Sequence, residues 1–114
     1  MQALGRFGEQ VAERHLREQG MVVLDRRWRC PDGEIDLVLR DGFALVVVEV
    51  KARSSETFGG PVEAVTPAKL RRLRRLAAAW LDEHPVHPEE VRIDVVGVLR
   101  RPDGLQVEHL RGVG

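Results

Sequence analysis

Three side chains near the middle of the chain, Asp36, Glu49 and Lys51, combine residue types that could act on a phosphate ester. Carboxylate oxygens bind hard divalent cations such as Mg²⁺ or Mn²⁺, and no Cys or His adjoins these residues to favour zinc. A lysine beside such an ion supplies a point charge that can position a water and neutralise charge on a phosphoryl group. Glu-x-Lys is a common triplet, so the prediction depends on whether the fold brings Asp36 to it.

A β-hairpin predicted over residues 34–53 would bring the two segments together. Two β-rich runs flank Asp41 and Gly42, a strong two-residue turn signal. The second run is almost continuously apolar, which is typical of a strand covered on both faces. We therefore expect two antiparallel strands that reach the centre of a sheet.

The predicted register decides which side chains meet. A turn at residues 41 and 42 pairs residue 40 with 43, and it places Asp36 opposite Val47 and Glu34 opposite Glu49. Alternation then puts these carboxylates and Lys51 on one face. Three carboxylates on one face need compensating positive charge. Lys51 supplies one such charge, and a divalent ion would supply the rest. The alternative is a half-buried Glu49–Lys51 ion pair, with Asp36 merely solvated.

The remaining elements are those that must position this hairpin. Apolar spacing predicts a first helix at residues 3–19 and a second from Pro67, with Thr66 as its N-cap, to about Glu83. Further strands are predicted at 21–29, 91–99 and 105–110, the last at an edge. The 114 residues therefore predict one α/β domain, residues 1–114, with a central mixed sheet flanked by helices in the order α-β-β-β-α-β-β.

Charge is balanced over the whole chain but not along it. Lys plus Arg and Asp plus Glu each number 18, which argues against general attraction to polyanions, and only Lys51 and Lys69 among the basic residues are lysines. Any nucleic-acid contact must therefore be local. The second helix carries such a strip, which could contact phosphates or could be an ordinary solvated face: Lys69, Arg71, Arg72, Arg74 and Arg75.

Smaller features leave alternatives open. A cluster of Arg26, Arg27, Trp28 and Arg29 could contact DNA, although covering an edge strand is favoured. Asp94, in a predicted buried strand, is expected to form a salt bridge with an arginine rather than to support the site.

The single cysteine excludes an internal disulfide, and no secretory signal or run of about 20 apolar residues is present. These features predict a cytoplasmic location and no membrane partner.

Several short motifs, taken in order, resemble the YraN-like family of bacterial proteins. This family lies within the PD-(D/E)xK nuclease superfamily and is related to archaeal Holliday junction resolvases. The motifs that carry the resemblance are GxxGE (residues 5–9), GEIDLV (33–38), VVVEVKAR (46–53), FGGPVEAV (58–65), KLRRL (69–73) and RIDVV (92–96).

The resemblance implies a restriction-endonuclease-like fold and a specific site. Asp36, Glu49 and the backbone carbonyl of Val50 would hold Mg²⁺ or Mn²⁺, Lys51 would be the catalytic lysine, and Glu9 would join from the first helix. It further implies hydrolysis of DNA, including branched DNA, by a homodimer.

One departure from the superfamily pattern leaves a role open. The superfamily name implies a proline before the aspartate, whereas Ile35 precedes Asp36 here, and the role of Glu34 is not assigned.

The alternative function is a nucleic-acid-binding or protein-recruiting module that retains the nuclease fold without efficient catalysis.

Overall fold

The computed structural model describes residues 3–53 and 65–114, with side chains from residue 5 onward. Residues 54–64 lie outside this description; they contain most of the FGGPVEAV motif and the run SSETFGGP (54–61), whose composition predicts a loop. The elements follow the predicted order: helix α1 (Ala3–Glu18), strands β1 (Val22–Cys30), β2 (Gly33–Asp41) and β3 (Ala44–Arg53), helix α2 (Pro67–Asp82), and strands β4 (Glu90–Arg101) and β5 (Gly104–Leu110).

The five strands form one mixed sheet in the order β1-β2-β3-β4-β5. Strands β3 and β4 are parallel, and the other neighbouring pairs are antiparallel. The predicted mixed sheet is confirmed, and so are the edge positions of β1 and β5. This arrangement is the predicted α/β architecture and is compatible with a restriction-endonuclease-like fold. Within the described ranges, no helix has the length and apolar content needed to cross a membrane.

Each helix covers one face of the sheet. Helix α1 packs on a cluster that includes Leu37, Leu39 and Val48, whereas α2 packs on one that includes Val38 and Val47. Residues 44–49 of β3 are all buried, as its continuous apolar run predicts. The middle of the hairpin is therefore held rigidly between two helices.

The turn of the hairpin lies one residue later than predicted. Asp41 pairs with Ala44, and Gly42 and Phe43 form the turn. Gly42 has φ 61°, and Phe43 is not among the residues with positive φ, a pattern typical of a type II′ turn with glycine at its first central position. A turn at Asp41 and Gly42 would need the left-handed conformation at Asp41, which costs energy in a residue with a Cβ.

The register predicted for the acidic residues is consequently wrong. Leu37 pairs with Val48, so each residue of β2 faces a partner two positions further along β3 than predicted. Asp36 is not opposite Val47. The ladder ends before it reaches Glu34, which does not face another carboxylate across the hairpin. A shift of two positions keeps every β3 residue on its predicted face, because side chains alternate with a period of two.

Asp94 of β4 is a fully buried carboxylate with four hydrogen bonds. Its oxygens accept from Nε and Nη2 of Arg92, from Nε2 of His109 at 2.8 Å and from the backbone N–H of Gly112 at 3.0 Å. The predicted salt bridge to an arginine is confirmed. The network connects β4, β5 and the C-terminal residues beyond β5.

Candidate active site

Asp36 lies where strand β2 departs from regular alternation. Leu37 packs in the core beneath α1, yet Ile35, two positions earlier, packs in the core beneath α2. The ladder to β3 ends at Leu37, and there Oδ2 of Asp36 accepts a hydrogen bond of 2.7 Å from the backbone N–H of Val50. The carboxylate therefore points toward the neighbouring strand instead of lying on one face with Glu34, as alternation predicts.

Glu9 reaches the same point of the sheet from helix α1. Its Oε1 accepts a hydrogen bond of 2.7 Å from Nε of Arg27, a β1 residue with a left-handed backbone, φ 48°. The helix can approach because Gly8 lies on the sheet: a Cβ at that position would lie 2.5 Å from the Cβ of Ala52. Gly8, the second glycine of the GxxGE motif, thus lets α1 pack close to the sheet and so determines the position of Glu9.

Glu49 is the acidic residue most strongly paired in the site. It is only 8% exposed, and its Oε2 lies 3.2 Å from Nζ of Lys51 and 2.6 Å from Nζ of Lys69. Lys69 belongs to the first turn of α2, where Oγ1 of Thr66 accepts from the Lys69 backbone N–H at 3.1 Å and Pro67 opens the helix. The predicted N-cap is confirmed, and it fixes the residue that contacts Glu49.

The pKa of Asp36 is raised from its ordinary value of 3.8 to about 7. Burial is the main cause, and the negative charges of Glu49, Glu9 and Glu34 add to it. The hydrogen bond from Val50 acts in the opposite direction without overcoming these effects. The ionised carboxylate is therefore poorly compensated by the protein itself, and a nearby cation would stabilise it.

The donor groups at this point fit one hydrated hard ion. Among the described residues, no group of three or more His, Cys, Asp and Glu side chains is arranged to hold a metal ion. Asp36 and Glu49 could supply two carboxylates and Val50 a carbonyl, and Mg²⁺ commonly keeps several waters beside one or two carboxylates. The raised pKa of Asp36, caused mainly by burial and by neighbouring carboxylates, means that a divalent ion at this point would favour the ionised form.

The basic residues of helix α2 fall into two groups, the exposed arginines and Lys69. Four arginines are exposed, Arg71, Arg72, Arg74 and Arg75, whereas the buried residues of the helix are Leu73, Leu76, Ala77 and Trp80. Arg74 donates to the carbonyl of Gly114 at 2.5 Å. Lys69 differs from these arginines, because its ammonium turns toward the hairpin and pairs with Glu49.

The arginines of β1 are paired with carboxylates. Arg26 binds Glu13 through two hydrogen bonds, and Nε of Arg29 donates to Glu34 at 2.7 Å. Glu34 thus has a cross-strand partner on β1 and lies outside the hairpin ladder. These contacts agree with the edge-covering interpretation of the cluster.

The contact between Lys69 and Glu49 is one part of the site that the spacing of motifs does not predict. Twenty residues separate the two positions, and the strip of arginines around Lys69 suggested a phosphate contact instead. The signal that could have found it is compositional: the chain has only two lysines, and both lie at this carboxylate.

Comparison with known proteins assigns the chain to a family. A model of the uncharacterised protein family UPF0102 matches residues 8–98. A UPF0102 protein of Beutenbergia cavernae is 65% identical over 113 residues, covering 98% of this chain and 96% of the relative. Those of Frankia alni and a Nocardioides species are 61% and 57% identical, covering 96% and 99% of this chain and 92% of each relative. With this coverage and the match from α1 to β4, the chain belongs to the YraN-like family UPF0102.

Proposed function

We propose that this protein is a Mg²⁺- or Mn²⁺-dependent endonuclease that hydrolyses DNA phosphodiester bonds. The observation that carries the proposal is the placement of Asp36 beside the Glu49–Lys51 segment, through its 2.7 Å hydrogen bond to the N–H of Val50. A poorly compensated carboxylate, a second carboxylate and a lysine at one point of the sheet are the groups that metal-assisted phosphodiester hydrolysis requires. The resemblance to the PD-(D/E)xK superfamily supports the same assignment.

Each residue has a proposed role. An ion held by Asp36, Glu49 and the Val50 carbonyl would supply polarisation of a phosphoryl oxygen and a more acidic water. Lys51, 3.2 Å from Glu49, would orient the attacking water and neutralise charge that develops on the phosphate. Glu9 would assist from the α1 side, where its bond to Arg27 fixes its position.

The approach of the substrate follows from the surrounding surface. A groove of about 430 Å³ between α1 and strands β1 and β2 leads to Asp36, and Arg6, Arg26 and Arg27 line it together with acidic residues. The exposed arginines of α2 lie beyond Lys69 on the opposite face. The groove holds as many carboxylates as arginines, so DNA phosphates would contact mainly the exposed arginines of α2. Activity on branched DNA, and a homodimer that would suit its two-fold symmetry, are extensions of this proposal.

A second candidate function is a nucleic-acid-binding or protein-recruiting module without efficient catalysis. The observation in its favour is that two ammonium groups already contact Glu49, so that this carboxylate has cationic partners without any ion. Such a module would bind DNA and leave it intact.

A cleavage assay separates the two functions. Duplex, single-stranded and four-way junction DNA are incubated with Mg²⁺ or Mn²⁺, using wild type, Lys51→Ala and Glu49→Gln. Ion-dependent cutting by wild type and a loss of about 100-fold or more in both variants are expected if these groups act in the reaction. The matched control is Glu34→Gln, which removes a carboxylate near the hairpin that pairs with Arg29.

The result that would overturn the enzyme assignment is specific. If no substrate is cut with either ion while DNA is still bound, the binding module is the better description. Gel filtration tests the extension to junctions, and a purely monomeric protein that does not dimerise on junction DNA would count against it.

A further inference from the structure

Both lysines of the chain contact a single oxygen atom. Nζ of Lys69 lies 2.6 Å and Nζ of Lys51 lies 3.2 Å from Oε2 of Glu49, although one lysine comes from α2 and the other from β3. The other 16 basic residues, apart from histidines, are arginines. Lysine is therefore confined to the one carboxylate that is central to the proposed site.

The two residue types differ in how they bind a carboxylate. Arginine presents a planar fork that can hold both oxygens, as Arg92 does with Asp94. Lysine presents a compact charge on a flexible stem, which can leave one oxygen and reach another group nearby. A contact that must be exchanged during function is better made by lysine than by arginine.

The charges explain why an exchange would occur. Lys69 supplies a positive charge at the carboxylate that, under the proposed function, would also hold a divalent ion. The ammonium and the ion are both cations, so they compete for Glu49 and repel each other if both remain. Lys69 is 28% exposed and carried by the first turn of α2, so its side chain can move outward.

We propose that Lys69 is a built-in counter-ion of Glu49, which competes with the divalent ion and, when displaced, becomes available to a DNA phosphate. The inference rests on the proposed function and adds a coupling between ion binding and DNA binding. Lys51 is equally exposed, but the proposed function assigns it to the attacking water, so Lys69 is the partner that would leave Glu49. Lys69 is in this sense a positioning residue that controls access to Glu49.

Ion binding tests the competition without any turnover. Mn²⁺ affinity is measured by electron paramagnetic resonance for wild type, Lys69→Met and Lys69→Arg. Lys69→Met keeps the apolar stem and removes the charge, and it should bind Mn²⁺ about tenfold more tightly than wild type, equivalent to about 1.4 kcal/mol. Lys69→Arg should not show this gain. Arg40→Met removes a positive charge four residues along β2 from Asp36 and should change the affinity less than twofold.

The origin of the gain can be located with a double variant. Adding Glu49→Gln to Lys69→Met should abolish the gain, because the competition occurs at that carboxylate. Thermal melting of each variant establishes that it is folded. If Lys69→Met binds Mn²⁺ no more tightly than wild type, or if neither binds it, the inference is wrong.

DNA binding tests the second half. Duplex affinity is measured by fluorescence anisotropy with and without Ca²⁺, and the ion should raise the affinity of wild type several-fold more than that of Lys69→Met. An equal effect in both proteins would contradict the release of Lys69 to phosphate. The proposed function fails in a different way, when Mn²⁺ binds in a Glu49-dependent manner but no DNA is cut.

Discussion

Replacing Asp36 by Asn should stabilise the ion-free protein, and the gain should grow with pH. The folded-state pKa of Asp36 is about 7, against an ordinary value of 3.8, so the folded protein holds a proton there that the unfolded chain has already lost. The stabilising contribution of such a group is fully present below pH 3.8, and it is lost as the pH rises to about 7. An asparagine cannot ionise, and its amide oxygen can still accept from the N–H of Val50.

The magnitude follows from the two pKa values. Each pKa unit corresponds to about 1.4 kcal/mol, so ionisation of Asp36 costs the folded state about 4 kcal/mol at most by pH 8. Between pH 4.5 and pH 8 the advantage of Asp36→Asn over wild type should therefore increase by about 3 kcal/mol. This value is a large part of the stability of a small domain.

Urea denaturation in the presence of EDTA, at intervals from pH 4.5 to pH 8, measures the effect. Asp103→Asn, which removes a carboxylate from the exposed turn between β4 and β5, is the matched control. Parallel curves for wild type and Asp36→Asn would refute the reasoning, because they would mean that Asp36 ionises as readily in the folded protein as in the unfolded chain. In the proposed function, Mg²⁺ at pH 8 should also stabilise wild type and leave Asp36→Asn unchanged.

Three further substitutions test the supports of the site and the core. Gly8→Ala should cost about 1–3 kcal/mol of unfolding free energy, since its Cβ would meet that of Ala52, and the added substitution Ala52→Gly should recover part of this loss in urea denaturation. Asp94→Asn should cost about 3 kcal/mol of unfolding free energy at pH 7 and less in acid. Burial raises the pKa of Asp94, but its hydrogen bonds, led by that from Arg92, outweigh burial and hold the pKa below its ordinary value. An unchanged urea midpoint would contradict this. Trp80→Phe should cost about 1 kcal/mol or more through loss of the 2.9 Å hydrogen bond to Asp25, with a melting temperature equal to wild type as the contrary result.

The elements of the fold could be predicted because each has a local cause. Thr66 caps the N-terminus of α2 and Pro67 begins the helix, and the apolar run of β3 predicts a strand covered on both faces. The predicted turn is one residue too early because Asp41-Gly42 and Gly42-Phe43 can both form two-residue turns. The choice between them depends on whether Asp41 adopts a left-handed conformation and on the packing of both strands. Local propensity does not decide between two such registers.

The structure brings Asp36, Glu49 and Lys51 to one point of the sheet, but the geometry there differs from the predicted one. The change of face between Ile35 and Leu37 lets Asp36 bind the N–H of Val50, and period-two alternation cannot express such a change. The partners of Glu9 and Glu49 come from β1 and α2 and depend on how each helix packs on the sheet. Long-range charge pairing of this kind has no signature in sequence spacing.

The order of the strands has a consequence for how the protein folds. Every neighbour in the sheet is also a neighbour along the chain, and three of the four strand pairs are antiparallel neighbours, which need only short loop closures. The pairing of β3 with β4 is the exception, because its crossover must first close. We therefore expect Asp36 and Glu49 to meet early, in the hairpin, and Lys69 to arrive late, so that the acidic pair exists during folding before its second ammonium partner is in place.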